Sequence, residues 1–135
     1  LELRVVDVDD DEKLNRAFDE IVAARADAVY VLPNRLFAVQ MQRIADLAVW
    51  HRLPTIHFYE KFPEVGGLMA YGVDFQAVHR RAAVYVDKIL KGANPAELPI
   101  EQATRFELVI NLSTARQLGL KIPQDILLRA NKVIK

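Results

Sequence analysis

The chain has 135 residues, 52% of them hydrophobic and 27% charged, the length and balance of one globular domain with a core, which excludes a disordered chain. Its 18 basic and 18 acidic side chains cancel, leaving no electrostatic footprint for nucleic acid or an anionic membrane surface, so no nucleic-acid partner is expected. The absence of cysteine removes disulfides, thiolate metal sites and cysteine nucleophiles together, and leaves the compartment open.

No apolar run approaches the ~18 to 20 residues of a membrane span, and no charged segment followed by an apolar one opens the chain. It begins at Leu1, without a methionine, directly in a strand-like run, as expected of a piece of a longer protein. Leu3, Val5, Val6 and Val8 make that run, and Asp9, Asp10 and Asp11 suit a strand end and a helix N-terminus. Leu14, Phe18, Ile21 and Val22 then recur at the spacing of a helix lying on a sheet. Residues 28–32 (AVYVL) predict a strand buried on both faces, stopped by Pro33 and Asn34. Phe37, Met41, Ile44 and Ala48 mark a second helix, ending around residues 51–54, with Trp50 expected to pack. Residues 55–58 (TIHF) predict a third strand. Strands alternating with helices at this spacing imply right-handed crossovers and an α/β fold with a doubly wound parallel sheet.

The rhythm then breaks. Too few residues separate the third strand from residues 68–71 (LMAY) for an ordinary parallel crossover, which takes roughly a dozen or more. This strand is therefore expected either as an antiparallel edge or as a crossing to another lobe. Phe75, Val78, Ala82, Tyr85, Val86 and Ile89 build the strongest amphipathic helix, with Asp74 as N-cap and Gly92 as its stop. A polar, proline-bearing connection (residues 93–104) leads to a final strand at residues 106–110. Asn111 or Ser113 then caps a short helix, and Gly119 with Pro123 separates it from a last one through Leu127 and Leu128.

Three strings, GGLMAYG (66–72), the helix RRAAVYVDKILKG (80–92) with NPAELP (94–99), and FELVINLSTARQLGLKIP (106–123), together resemble the C-terminal part of the ABC transporter substrate-binding protein family. That family is similar to the type I periplasmic binding proteins, in which two α/β lobes joined by crossing strands trap a small solute and deliver it to a membrane permease. The resemblance implies that residues 1–64 form a βαβαβ unit of the second lobe, residues 65–104 a hinge strand and helix returning toward the first lobe, and residues 105–135 the final strand and helices of the second. Most of the N-terminal lobe is then absent, and the short link before Leu68 becomes a hinge crossing. The resemblance also implies an ABC permease as partner, an amino-acid-like or sugar-like solute, a periplasmic or extracellular membrane-anchored location, and no cofactor. Deprived of its sheet, the helix at residues 74–90 would expose an apolar stripe, so it is expected to dimerise, swap between copies or fold back on its own sheet.

In open α/β sheets the binding crevice lies beyond the carboxyl ends of the strands. The expected ends are Asp9 and Asp10; Pro33, Asn34 and Arg35; Tyr59 and Glu60; and Tyr71, Gly72 and Asp74. Asn34 offers donor and acceptor together, Tyr59 and Tyr71 a stacking face with a polar tip, and Glu60 or Asp74 a partner for an ammonium or hydroxyls. The candidate ligand-binding residues are thus Pro33, Asn34, Tyr59, Glu60, Tyr71, Gly72 and Asp74. Asn34 equally suits a plain turn and Asp74 a plain helix cap. Gly66, Gly67 and Gly72 lack the lysine and hydroxyl of a phosphate loop and read as permissive hinge backbone. Arg80 and Arg81 read as solvated charges on the outer face of their helix.

Catalysis finds little footing. His51, His57 and His79 fall in no HxH or HExxH pattern, and His57 within a strand reads as a satisfied core or cleft histidine. The only serine, Ser113, sits at a helix cap and not in a GxSxG elbow. A Glu60 and Asp74 carboxylate pair is the remaining acid/base candidate. Neither an enzyme nor a metal site is expected. The alternative from another class is the effector-binding sensor of a transcription regulator, which shares the two-lobed fold and is told apart by an N-terminal helix-turn-helix.

Overall fold

A computed structural model describes residues 2–135. Five strands form one sheet in the order β1-β2-β3-β4-β5. They are β1 (Val29–Val31), β2 (Thr55–His57), β3 (Met69–Val73), β4 (Phe106–Asn111) and β5 (Lys132–Ile134). All neighbours run parallel except β3 and β4. Six α-helices accompany them among the described residues: α1 (Leu14–Ala23) before β1, then α2 (Arg35–Val39), α3 (Met41–Trp50), α4 (Phe75–Leu90), α5 (Leu112–Gln117) and α6 (Gln124–Arg129) between strands.

The main core cluster lies on one face of the sheet, while Ile110, opposite Met69, is fully buried on the other. Leu14 and Phe18 from α1, Ile44, Ala45 and Ala48 from α3, Val31, Ala70 and Phe62 cluster on the first face, fully or almost fully buried, as the helical spacing of those residues requires. The register places Tyr30, Ile56, Met69, Tyr71, Leu108 and Phe106 on the opposite face. Tyr30 is 55% and Tyr71 50% exposed, so β1 is not buried on both faces as its apolar run suggested.

Four further expectations are corrected. Residues 3–8 form no strand, and Leu3 and Val5 are 84% and 78% exposed; only Val8 packs against the core. A β-branched run has strand propensity, but a strand needs a partner, and this run takes none. The second predicted helix is broken at Gln40 into α2 and α3. The strand after the short link does extend the parallel sheet, with Ile56 opposite Met69 and His57 opposite Ala70. A 3₁₀ turn over Phe62–Val65 makes that crossover compact, and Gly66 ends it at φ +95°. Finally, β4 is not the last strand, because β5 joins it in parallel.

Capping follows the side-chain chemistry. Asn34 Oδ1 accepts from the Leu36 N–H at 2.8 Å, Asp74 Oδ1 from Ala77 N–H at 2.8 Å, and Asn111 Oδ1 from Thr114 N–H at 3.0 Å. Asp10 accepts from Lys13 N–H at 2.9 Å, one turn ahead of α1. Gly92 follows α4 at φ +99°. Trp50, expected to pack, is 82% exposed at the end of α3.

No residue of α4 is buried. The helix is held at its start by Phe75, and along its length by the Arg81–Glu101 ion pair and the Tyr85 hydroxyl donating to the Pro99 carbonyl at 2.6 Å. It does not fold back onto the sheet. No helix among the described residues is long and apolar enough to cross a membrane.

Candidate functional site

Because β1, β2 and β3 are parallel and in register, their carboxyl ends open on the same edge of the sheet. At the end of β1, Pro33 and Asn34 are exposed, and the Asn34 carbonyl oxygen is occupied in capping α2. At the end of β2, His57 is fully buried while Phe58, Tyr59 and Glu60 are half-buried. The Tyr59 N–H donates to His57 Nδ1 at 3.0 Å, closing a tight turn.

An aromatic shelf covers this turn. The Tyr59 ring stacks on Phe75 of α4, with centroids 5.6 Å apart and planes 22° apart, and Phe58 meets both rings edge-on at 5.6 and 5.8 Å. Beneath it, His57 stacks on Phe62 at 4.8 Å. Burial pushes the His57 imidazole down from 6.5 to about 4, opposed only by the backbone of Phe37, so the ring is neutral at pH 7. With Nδ1 accepting from Tyr59, the proton is assigned to Nε2, which has no hydrogen-bond partner among the described residues.

At the end of β3, Gly72 is buried where a β-carbon would overlap the Phe58 carbonyl oxygen. Its need is for close approach of two backbones and not for positive φ. Asp74 caps α4 with one oxygen and stands 3.9 Å from Arg80 with the other, its side chain only 13% exposed. Tyr71 points to the other face and stacks on Phe106 at 5.7 Å.

Of the predicted residues, Tyr59, Gly72 and Asp74 therefore meet around the β2 turn and the start of α4. Glu60 and Asp74 share a groove of about 460 Å³ whose other charged walls are Lys61, Glu64, Arg80, Glu107 and Lys132. Lys132 donates to Glu64 at 2.7 Å and holds that carboxyl below its ordinary value. Pro33 and Asn34 sit at the neighbouring strand end, and Tyr71 is turned away from the groove. Phe58, Phe75 and Arg80 are members that the sequence reading missed. The Phe-Tyr pair closing a strand and the aromatic directly after a helix cap were the signals available.

A second groove, of about 410 Å³, lies beside Trp50, Asp46, Gly66 and Ser113 at the opposite end of β2 and β3. The carboxyl end is the stronger candidate, because there the buried histidine, the close glycine contact and groups of both charges converge. No group of three His, Cys, Asp or Glu side chains suited to a metal ion occurs among the described residues.

A parallel sheet with one antiparallel crossing pair, and aromatic and charged groups gathered at its strand ends, defines the class: an α/β lobe of the kind that makes up substrate-binding proteins. The chain belongs to the ABC transporter substrate binding protein family, whose model matches residues 1–134. Solved structures similar to it include a conserved domain protein from Vibrio cholerae O1 biovar El Tor, at 29% identity and a TM-score of 0.81, covering 90% of this chain and 41% of that one. Another is an ABC domain in complex with L-Trp from Streptococcus pneumoniae, at 24% identity and a TM-score of 0.80, covering 91% of this chain and 42% of that one. A third is a ligand-free, open substrate binding protein with adhesive properties from Clostridium difficile, at 20% identity and a TM-score of 0.67, covering 95% and 42%. The last two are likenesses of fold alone. The chain spans about two-fifths of the length of each of these structures. Among curated proteins, none matches it in sequence.

Proposed function

We propose that this chain is the second lobe and hinge of a solute-binding protein that serves an ABC importer, capturing a small polar organic ligand in an interlobe cleft and presenting it to a membrane permease. The observation that carries this reading is the convergence, at one strand-end edge, of the Phe58/Tyr59/Phe75 shelf with a groove of mixed charge. Residues 1–64 belong to the second lobe, residues 65–104 to the crossing and the first-lobe helix, and residues 105–135 to the second lobe again. The antiparallel pairing of β3 with β4 supports this, since an outgoing and a returning strand lie side by side. The absence of burial along α4 supports it too.

Tyr59 offers its ring to an apolar or sugar face, Glu60 and Asp74 accept from an ammonium or hydroxyls, and Arg80 or Lys61 pairs with a carboxylate. Asn34 and Pro33 form the adjoining rim, Gly72 lets the walls approach, and Tyr71 faces the crossing strands. Amino-acid-like and sugar-like solutes both suit this set, and the L-Trp complex of the pneumococcal relative favours testing amino acids first. Closure of two lobes about the hinge would give the permease a shape to read. The location proposed is periplasmic or extracellular, anchored to the membrane.

A thermal-shift panel of amino acids, sugars and aromatic acids on the full-length protein tests the reading. A ligand present at 100 times its dissociation constant adds about 2.7 kcal/mol of stability. A panel in which no class raises the melting temperature would count against the cleft.

A further inference from the structure

His57 is the one buried polar side chain at this edge whose presence the packing does not explain. The ring is fully buried, stacked on Phe62 and tilted against Tyr59 at 5.4 Å, yet its Nε2 makes no well-formed hydrogen bond among the described residues, the Phe37 backbone being the one group there that favours its protonated form. An unpaired buried N–H is unfavourable, and a leucine of similar volume would avoid that penalty. What leucine could not supply is the acceptor at Nδ1, which holds the N–H of Tyr59.

That single bond fixes the turn. Residues 58–60 are pinned from three sides: Tyr59 N–H by His57, the Phe58 carbonyl by the close approach of Gly72, and both rings by Phe75. Without the first pin, the Tyr59 N–H is unsatisfied in a half-buried place and the turn can rotate away from Phe75, carrying Glu60 with it.

We propose that His57 is a positioning residue of the cleft, setting through Nδ1 the turn that presents Tyr59 and Glu60 to a solute, an inference that rests on the solute-binding reading. Two variants separate this from a space-filling role. His57→Phe keeps a flat aromatic ring and removes the unpaired N–H, and because its larger volume costs some overpacking the two effects offset and the melting temperature stays near that of the wild type. Its Tyr59 amide exchanges with solvent about tenfold faster, and L-tryptophan, used as the probe, binds about tenfold more weakly. In His57→Asn, the side-chain oxygen can accept from the amide two residues on, as in an Asx-turn, so Tyr59 protection and probe affinity return even though the lost ring lowers stability.

Hydrogen exchange at Tyr59 decides the matter whether or not the probe binds. Wild-type protection in His57→Phe overturns the proposal, as does an Asn variant that loses protection to the same degree as Phe. Failure of the wild-type protein to bind L-tryptophan or the other solutes of the panel bears on the solute-binding reading and leaves the exchange result standing.

Discussion

At the residue scale, the β2 turn gathers the steepest consequences of small changes. Gly72 is buried against a carbonyl oxygen of the neighbouring strand end, and an added methyl group would have to move backbone and not a flexible side chain. Gly72→Ala is expected to lose about 1 to 3 kcal/mol by overpacking. Gly92→Ala has open space around it and only the positive φ to resist, and should lose about 1 kcal/mol. Urea unfolding of the two variants checks the order; an equal or smaller loss at Gly72 would mean that β2 and β3 separate easily. His57 gives a pH signature in the same region. Its native value is about 4 against 6.5 when unfolded, so between these limits the unfolded chain takes up a proton that the folded chain refuses. The stability it contributes is complete above pH 6.5 and falls as pH drops toward 4, by up to about 3 kcal/mol. Unfolding measured at pH 7 and pH 4.5 should show a smaller difference in His57→Phe than in the wild type, and parallel losses would show that other groups dominate.

At the element scale, α4 is a helix supported chiefly by its own ends. With no buried side chain, it depends on the Asp74 cap, the glycine stop and the Arg81–Glu101 and Tyr85–Pro99 ties. Asp74→Ala removes a cap contributing about 1 kcal/mol. The loss should fall on α4 alone: amide exchange over residues 75–90 should quicken severalfold while that of β2 and the α3 core face stays unchanged. A matching drop in global stability would mean that α4 is coupled to the core after all. The elements easiest to read in the sequence are those carried by local signals, namely the stripes of α1, α3 and α4 and the caps at Asp74 and Asn111. Non-local terms decided the rest. Residues 3–8 have the composition of a strand but no partner, β5 is three residues long, and a 3₁₀ turn made a short parallel crossover possible. The same division applies to the candidate site. Its strand-end residues Asn34, Tyr59, Glu60, Gly72 and Asp74 were legible from alternation of elements, whereas the outward turn of Tyr71 and the joining of Phe75 and Arg80 depend on register and helix entry, which no local pattern states.

At the scale of the whole molecule, two apolar surfaces are left open. Val78, Val86, Ile89 and Leu90 stand exposed along α4, and Tyr30, Leu32, Tyr71 and Phe106 on the outer face of the sheet, whereas monomeric soluble proteins seldom expose more than a few hundred Å² of contiguous apolar surface. In the proposed two-lobed protein the first surface belongs against the other lobe. In the 135-residue chain alone it is free, and a second copy offers the same stripe by two-fold symmetry. The chain alone is therefore expected to self-associate through α4, and to bind solute more weakly than micromolar because one wall of the cleft is missing. Light scattering across a concentration series should give a mass above the 15.3 kDa of one chain. Val86→Glu combined with Ile89→Lys should return it to monomer, since both charges would be desolvated in the contact. Phe106→Lys on the sheet face should leave the association in place. A monomer at high concentration refutes self-association altogether, and dissociation by Phe106→Lys but not by the helix pair would move the contact from α4 to the sheet.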